Sequence, residues 1–221
     1  MADRAVQRKN MVESQIRPSD VTDRRITAAM QDVARERYLP VPFAALAYMD
    51  EALAVAPGRS LMAPRTFARL VQLASIQSSD TVLIVGALAG YSAAVISRLA
   101  NSVFALESGT FAAAAGKIRS DENGASNVSF VTGPLENGWA AAAPYDVIFV
   151  EGSIELMPPA FAAQIKASGR LVGIATADGV GRAFVMQQVG RGLSAALSRH
   201  SVFDASAATL PGFEQPKAFT F

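Results

Sequence analysis

From residue 80 onward, short apolar runs alternate with segments of helical pattern, and this alternation constrains the fold more than any other feature. The runs that we interpret as strands are TVLIVG, SVFALE, NVSFVTG, YDVIFVEG and GRLVGIAT. The segments between them that we interpret as helices are YSAAVISRLA, SGTFAAAAGKIRSDENG and LMPPAFAAQIKASG. Repeated strand–helix–strand units predict an α/β fold with a parallel sheet and helices on both faces. RAFVMQQVG and LSAALSR then predict a terminal antiparallel pair.

The first 79 residues have a different texture, without convincing strands. Ser19 or Asp20 is expected to cap a helix through VTDRRITAAMQDVARERYL, which ends where two prolines follow. A second helix is predicted to begin at Pro64 and to run through RTFARLVQLASI. We therefore expect residues 1–79 to form a helical and loop-rich cap in the same domain as an α/β core of residues 80–221.

Composition excludes several function classes. The chain has 221 residues, 51% of them hydrophobic, and a net charge of +1, so a packed domain is expected, with no preference for nucleic acid or an anionic membrane. It contains no cysteine and a single histidine, His200, so no metal site and no thiolate chemistry are expected. No apolar window is long enough to span a membrane, and the N-terminus does not resemble a secretory signal. The expected compartment is the cytoplasm.

Gly86, Gly90 and Glu107 are the first candidate site residues. Ligands of parallel sheets bind beyond the carboxyl ends of the strands, and an acid about 20 residues after the first glycine suits the two ribose hydroxyls of a nucleoside. An ordinary strand-to-helix turn followed by a glutamate at the solvent edge fits these residues equally well. The stretch VLIVGALAGY is not a G-x-G-x-x-G fingerprint, and no phosphate loop occurs. Dinucleotide oxidoreductases and NTPases are therefore disfavoured relative to proteins that bind a nucleoside cofactor such as S-adenosylmethionine.

Four longer motifs follow one another with ordinary spacing from about Met11 to the C-terminus. They are DRRITAAMQDVARERYLP, YMDEALAVAPGRSLMAP, VLIVGALAGYSAAV and, after a Gly-Trp pair, PYDVIFVEGS. Together they resemble the protein-L-isoaspartate O-methyltransferase family. The resemblance implies a Rossmann-like, seven-stranded S-adenosylmethionine-dependent methyltransferase sheet with an N-terminal helical extension. It also implies methyl transfer to an isoaspartyl carboxylate in a damaged protein or peptide. The cofactor-binding positions that it implies are Gly86, Leu88, Gly90, Tyr91, Glu107 and Leu135.

The cofactor positions of this sequence depart from that family's pattern. The family loop resembles G-x-G-x-G with an acid two residues earlier, whereas Leu88 and Ile84 stand at the middle glycine and at the acid. Glycine suits the middle position because the backbone must approach the ligand closely, often with positive φ. After the third predicted strand, residues 133–135 read Gly-Pro-Leu where the family has Gly-Asp-Gly, and Glu136 is a weakly indicated substitute for the missing acid.

The substrate segment departs as well. The family carries a Thr-Ile-Ser-Gln-Pro-like segment whose serine touches the reacting carboxylate, and Met62 occupies that position. Methionine cannot donate a hydrogen bond, so Ser60, which aligns with the threonine, is the candidate catalytic contact. Arg59 and Arg65 flank the segment and either attract an anionic substrate or are solvated surface residues, of which we favour the second.

Two hypotheses remain open. The first is an isoaspartyl-type methyltransferase that uses S-adenosylmethionine despite eroded motifs. The second is a non-catalytic relative that uses the same fold to bind a partner or to form a homo-oligomer.

Overall fold

The computed structural model describes residues 3–109, 116–117, 124–189 and 196–216. Its strands, in chain order, are β1 Leu53–Ala56, β2 Arg59–Leu61, β3 Thr81–Val85, β4 Ser102–Glu107, β5 Val128–Thr132, β6 Tyr145–Ile154, β7 Ile165–Ala177, β8 Val180–Val189 and β9 Ala196–Asp204. The α-helices are α1 Arg4–Met11, α2 Arg24–Asp32, α3 Pro64–Ala74, α4 Tyr91–Ile96 and α5 Pro159–Gln164. Shorter π- and 3₁₀-helical turns cover Val12–Ile16, Arg17–Ser19, Arg35–Tyr38, Val41–Leu46, Leu135–Asn137 and Ala140–Ala142.

Seven strands form one sheet in the order β5-β4-β3-β6-β7-β8-β9. The pairs from β5 to β7 are parallel, and those joining β7, β8 and β9 are antiparallel. The predicted α/β class, the seven-stranded sheet and the terminal antiparallel pair are confirmed. Strand order reverses between β3 and β6, so the carboxyl ends of β3, β4 and β6 lie where a parallel sheet binds its ligand.

Alternate residues of β3 face two separate clusters of buried side chains. Val82 and Ile84 pack with side chains of α2, α3 and α4 on one face of the sheet. Leu83 and Val85 pack on the other face with residues that include Phe161 and Leu210. Because side chains from before and after residue 79 share the first cluster, the two regions pack as neighbours. The boundary at residue 79 stays a prediction.

Several details before residue 80 differ from the sequence expectation. The helix predicted from Ser19 or Asp20 to Leu39 begins instead after Asp23, whose carboxylate accepts the Arg25 N–H, and it ends at Asp32. Asp20 cannot be its cap because it has a left-handed backbone, with φ 62°. Strands β1 and β2 form an antiparallel pair in a region where no strand was expected. They are hard to recognise in the sequence because they are only four and three residues long. The turn between them is a Pro-Gly turn. The helix predicted to begin at Pro64 is confirmed.

Two predicted helices of the core differ from the structure or lie largely outside the described residues. The helix over LMPPAFAAQIKASG covers only Pro159–Gln164, since Ile165 already begins β7 and pairs with Tyr145. The helix over SGTFAAAAGKIRSDENG falls largely on residues 110–115 and 118–123, which lie outside the described residues.

After β9, residues 205–216 return across the carboxyl end of β6, and we call this segment the C-terminal strap. The Ser153 N–H donates to the Ala208 carbonyl, and the Leu210 N–H donates to the Ser153 carbonyl, both at 2.9 Å. The N–H groups of Glu155 and Leu156 both donate to the Phe213 carbonyl at 3.0 Å. Leu210 and Phe213 are fully buried, so the strap is part of the packed structure.

Among the described residues, no helix has the length and apolar character that crossing a membrane requires.

Candidate functional site

The loop after β3 is built on three residues with positive φ. Gly86 and Gly90 have φ values of 85° and 88°, and Leu88 has a φ of 49°. A Cβ at Gly90 would lie 2.7 Å from the ring of Phe130, so only glycine fits there. Leu88 therefore keeps the backbone conformation that we associate with glycine at this position, at a cost of about 1–2 kcal/mol for an L-residue.

Glu107 ends β4 and is 2% exposed. Its Oε1 accepts from Arg59 Nη1 at 2.5 Å and from Ser108 N at 2.8 Å. Its Oε2 accepts from Arg59 Nη2 at 2.6 Å and from Leu88 N at 2.7 Å. Burial raises the pKa of Glu107, but the hydrogen bonds and charge of Arg59, aided by the N–H groups of Ser108 and Leu88, outweigh it and hold the pKa below its ordinary value. Glu107 is thus an ionised carboxylate with both oxygens engaged.

Arg59 is a buried residue, and the surface interpretation favoured from sequence is wrong. It is 8% exposed, and its Nη2 also donates to the Gly86 carbonyl at 2.9 Å. The reason is its place on β2, where side chains alternate between faces: Arg59 and Leu61 are buried and Ser60 between them is half-buried. Arg65 does lie at the surface, where it pairs with Asp50 at 3.0 Å.

Leu210 of the C-terminal strap covers two glycines at the ends of β3 and β6. A Cβ at Gly152 would lie 2.5 Å from Leu210 Cγ, and a Cβ at Gly86 would lie 3.2 Å from both Leu210 methyl groups. Glycine at both positions lets the Leu210 side chain rest on the backbone of the two strands. Leu210 therefore occupies the space directly over Gly86 and Gly152.

A second carboxyl group, Glu151 of β6, is buried beside this ion pair. It is 2% exposed and accepts a short hydrogen bond from the Ser92 hydroxyl at the start of α4. Burial raises the pKa of Glu151 to about 7, although Ser92 and the charges of Arg59 and Arg35 act in the opposite direction.

The other sequence-predicted residues are placed as follows. Tyr91 is 1% exposed and lies in the buried cluster that contains Val82 and Ile84. The Arg35 guanidinium lies over the Tyr91 ring, 4.8 Å from its centre. Leu135 is 1% exposed and packs in the same cluster as Leu210. Met62 is buried, and its carbonyl accepts from Arg35 Nη2 at 2.5 Å. Ser60 is half-buried on the face of β2 opposite Arg59, and its contact to the reacting carboxylate stays a prediction.

The weakly indicated substitute acid, Glu136, lies against the strap. Its Oε2 is 2.7 Å from where a Cβ on Gly212 would stand. The Glu136 carboxylate thus lies at the edge of the strap, and its role as a substitute for the missing acid stays a prediction.

Sequence reasoning missed three residues of the site: Arg59 as a buried partner, Glu151 and Leu210. Leu210 and Phe213 are the large apolar residues of a segment, 205–216, that otherwise consists of small, polar and proline residues, and they were a signal for the strap. Arg59 had no such signal, because β2 itself was not predicted. Glu151 had no signal of its own, because it follows an apolar strand just as a solvent-edge glutamate would.

These residues do not fit a nucleoside in the arrangement described. A ribose needs the free oxygens of a carboxylate, and all the in-plane positions of Glu107 are taken by Arg59, Leu88 and Ser108. It also needs open space along the glycine loop, which the Leu210 methyl groups occupy. The backbone of a cofactor loop is present, and Arg59 and Leu210 occupy the space beside Gly86.

Comparison with known proteins identifies the family. The family model for protein-L-isoaspartate(D-aspartate) O-methyltransferase matches residues 6–196. A protein-L-isoaspartate O-methyltransferase of Protochlamydia amoebophila is 39% identical over 162 residues, which cover 73% of this chain and 77% of the relative. One from Rhodopseudomonas palustris is 39% identical over 162 residues, covering 73% and 74%.

Solved structures agree on the fold. A protein-L-isoaspartate O-methyltransferase structure superposes with a TM-score of 0.78 at 23% identity, covering 93% of this chain and 66% of the solved one. A Plasmodium falciparum structure of the same description, in complex with S-adenosyl-L-homocysteine, gives 0.76 at 16% identity and covers 92% of this chain and 97% of the solved one. On the strength of the matched family model and the curated relatives, this chain belongs to the protein-L-isoaspartate O-methyltransferase family.

Proposed function

We propose that this protein is an S-adenosylmethionine-dependent protein-L-isoaspartate O-methyltransferase, which methylates the carboxylate of isoaspartyl residues in damaged proteins. The observation that carries the proposal is the Glu107 carboxylate at the end of β4, 2.7 Å from the N–H of Leu88 in the glycine loop. That is where a carboxylate serves a nucleoside cofactor in a parallel sheet. Gly86, Leu88, Gly90 and Glu107 are the proposed cofactor residues.

The acceptor chemistry suits a site without histidine or cysteine. A carboxylate is ionised at pH 7 and is nucleophilic without a general base. Such an enzyme mainly aligns its two reactants, and alignment can supply roughly 7–11 kcal/mol of the barrier. The function applies to a conformation in which Arg59 and Leu210 have left Glu107 and the glycine loop.

A second candidate is a non-catalytic protein that keeps the methyltransferase fold as a binding or oligomeric scaffold. The bidentate pairing of Arg59 with Glu107 favours it, because this ion pair needs no ligand to satisfy Glu107. Burial of Met62 at the family's serine position points the same way.

Calorimetry with S-adenosyl-L-homocysteine separates the two candidates. The methyltransferase predicts micromolar binding that is lost in Glu107→Gln and kept in Glu51→Gln, a change of an exposed acid. The scaffold predicts no binding, either by the folded unchanged protein or by a folded variant such as Leu210→Ala that opens the site. Methyl transfer to an isoaspartyl peptide, compared with the matching aspartyl peptide, then tests the acceptor.

The compartment and partners follow from the same proposal. We place the protein in the cytoplasm, acting on isoaspartyl-containing proteins or peptides, and we assign it no nucleic-acid or membrane partner. Self-association is part of the scaffold alternative, and sedimentation of the purified chain measures it.

A further inference from the structure

We propose that Arg59 and Leu210 form a two-part plug that closes the cofactor site and must leave before a nucleoside can bind. The proposal rests on the proposed function, and it adds a gate to the site that the family assignment does not contain. Its two parts come from distant regions of the chain, the β1–β2 hairpin and the C-terminal strap.

The Arg59 guanidinium imitates the hydrogen bonds that a ribose would make. Two parallel N–H donors reach the two oxygens of Glu107 at 2.5 and 2.6 Å. A vicinal diol offers two O–H donors to a carboxylate in the same forked arrangement, so the guanidinium and the diol compete for one acceptor. The third Arg59 contact, to the Gly86 carbonyl, locks the guanidinium against the glycine loop itself.

Leu210 closes the space that the guanidinium leaves open. Its methyl groups lie against Gly86 and Gly152, the two positions where the missing side chain leaves room beside the strand ends. The strap holds Leu210 there by two backbone hydrogen bonds to Ser153 and by the buried side chain of Phe213. These backbone contacts do not involve the Arg59 side chain, although both parts of the plug lie against Gly86 and the strap passes beside the β1–β2 turn at Gly58.

The two parts also differ in what their removal leaves behind. Loss of the Arg59 guanidinium uncovers a buried, ionised Glu107 that then lacks a counter-charge. Loss of the Leu210 side chain leaves the ion pair intact and creates an apolar space above the two glycines. A nucleoside has both groups that the opened site needs. Its ribose diol can donate to the Glu107 carboxylate, and its apolar surface can fill the space above the two glycines.

The test is calorimetric titration of S-adenosyl-L-homocysteine into the full chain and four single variants. Arg59→Met removes the guanidinium and keeps the aliphatic stem, and Leu210→Ala opens the glycine side without disturbing Glu107. The matched controls are Arg182→Met and Leu46→Ala. The Arg182 side chain is 60% exposed, and Leu46 is 39% exposed. Thermal unfolding of each variant establishes that it is folded.

The plug predicts that both Arg59→Met and Leu210→Ala bind at least tenfold more tightly than the unchanged protein, while both controls match it. Leu210→Ala decides the question if Arg59→Met does not fold. Equal, measurable affinity in the unchanged protein and both plug variants would overturn the plug and leave the proposed function standing. No binding by any folded variant would overturn the proposed function, and the plug with it.

Discussion

Replacing Glu151 with glutamine is expected to remove a pH dependence from the stability of the fold. Glu151 is buried at the end of β6, and burial raises the pKa of its carboxyl group from 4.5 to about 7. At 1.36 kcal/mol per pH unit, this rise corresponds to up to about 3 kcal/mol between the protonation states. Glutamine has the shape of the protonated acid, and its amide oxygen can still accept from the Ser92 hydroxyl.

The direction in which stability changes with pH follows from whether the folded or the unfolded state holds the Glu151 proton. Between pH 4.5 and about 7 the folded protein keeps Glu151 protonated, whereas the unfolded chain has already ionised it. The folded state therefore binds more protons, and its free energy of unfolding falls as pH rises through this window. The stability that the protonated group contributes is fully present below pH 4.5 and is lost above about 7.

The assay is urea unfolding of the unchanged protein and of Glu151→Gln at pH 5, 6, 7 and 8. The variant should gain stability relative to the unchanged protein by up to about 3 kcal/mol from pH 5 to pH 8. Groups whose pKa is lowered, such as Glu107 and Asp146, act below this window and cancel in the difference. Glu51→Gln, an exposed acid, is the control. A constant difference between Glu151→Gln and the unchanged protein across this range would refute the buried, protonated assignment.

Three further perturbations test the packing and charges around the site. Arg59→Met should lower the free energy of unfolding by about 3–5 kcal/mol because it leaves a buried carboxylate without its counter-charge. Adding Glu107→Gln to this variant should recover part of that loss. A free energy of unfolding for Arg59→Met within about 1 kcal/mol of the unchanged protein, the value of an exposed ion pair, would contradict the buried pair. Gly90→Ala should lower the free energy of unfolding, measured by thermal unfolding, by at least about 1 kcal/mol more than Gly179→Ala does. Both glycines have positive φ, but of the two only a Cβ at Gly90 would meet the Phe130 ring. Equal losses would argue against that contact. Asp146 accepts from Lys166 at 2.8 Å and from the Thr81 N–H at 2.9 Å, and these interactions outweigh burial and lower its pKa, so Asp146→Asn should cost about 1 kcal/mol near neutral pH. That cost should shrink as pH falls below about 4, where the unchanged protein loses this contribution too; a cost that does not change with acidification would show that the charge is not involved.

The parallel sheet could be predicted because each of its buried strands is a continuous apolar run. TVLIVG supplies β3, in which Val82, Leu83, Ile84 and Val85 are all fully buried. The β1–β2 hairpin could not be predicted with the same ease, because Leu53–Ala56 is short and rich in small residues. Its Pro-Gly turn was the available signal.

The candidate site shows where local sequence reasoning stops. Leu88 was predicted to occupy a glycine-type position, and its φ of 49° agrees. The burial of Arg59 depends on Glu107, 48 residues away, and no local pattern contains that contact. Leu210 lies over Gly86 only because the strap returns across β6, which is a property of the whole topology.

The most direct test of the central claim is a crystal structure of Leu210→Ala grown with S-adenosyl-L-homocysteine. We predict the ribose hydroxyls within hydrogen-bonding distance of the Glu107 carboxylate, with the Arg59 guanidinium displaced from it. A ligand bound elsewhere, or no bound ligand with Arg59 still paired to Glu107, would contradict the account.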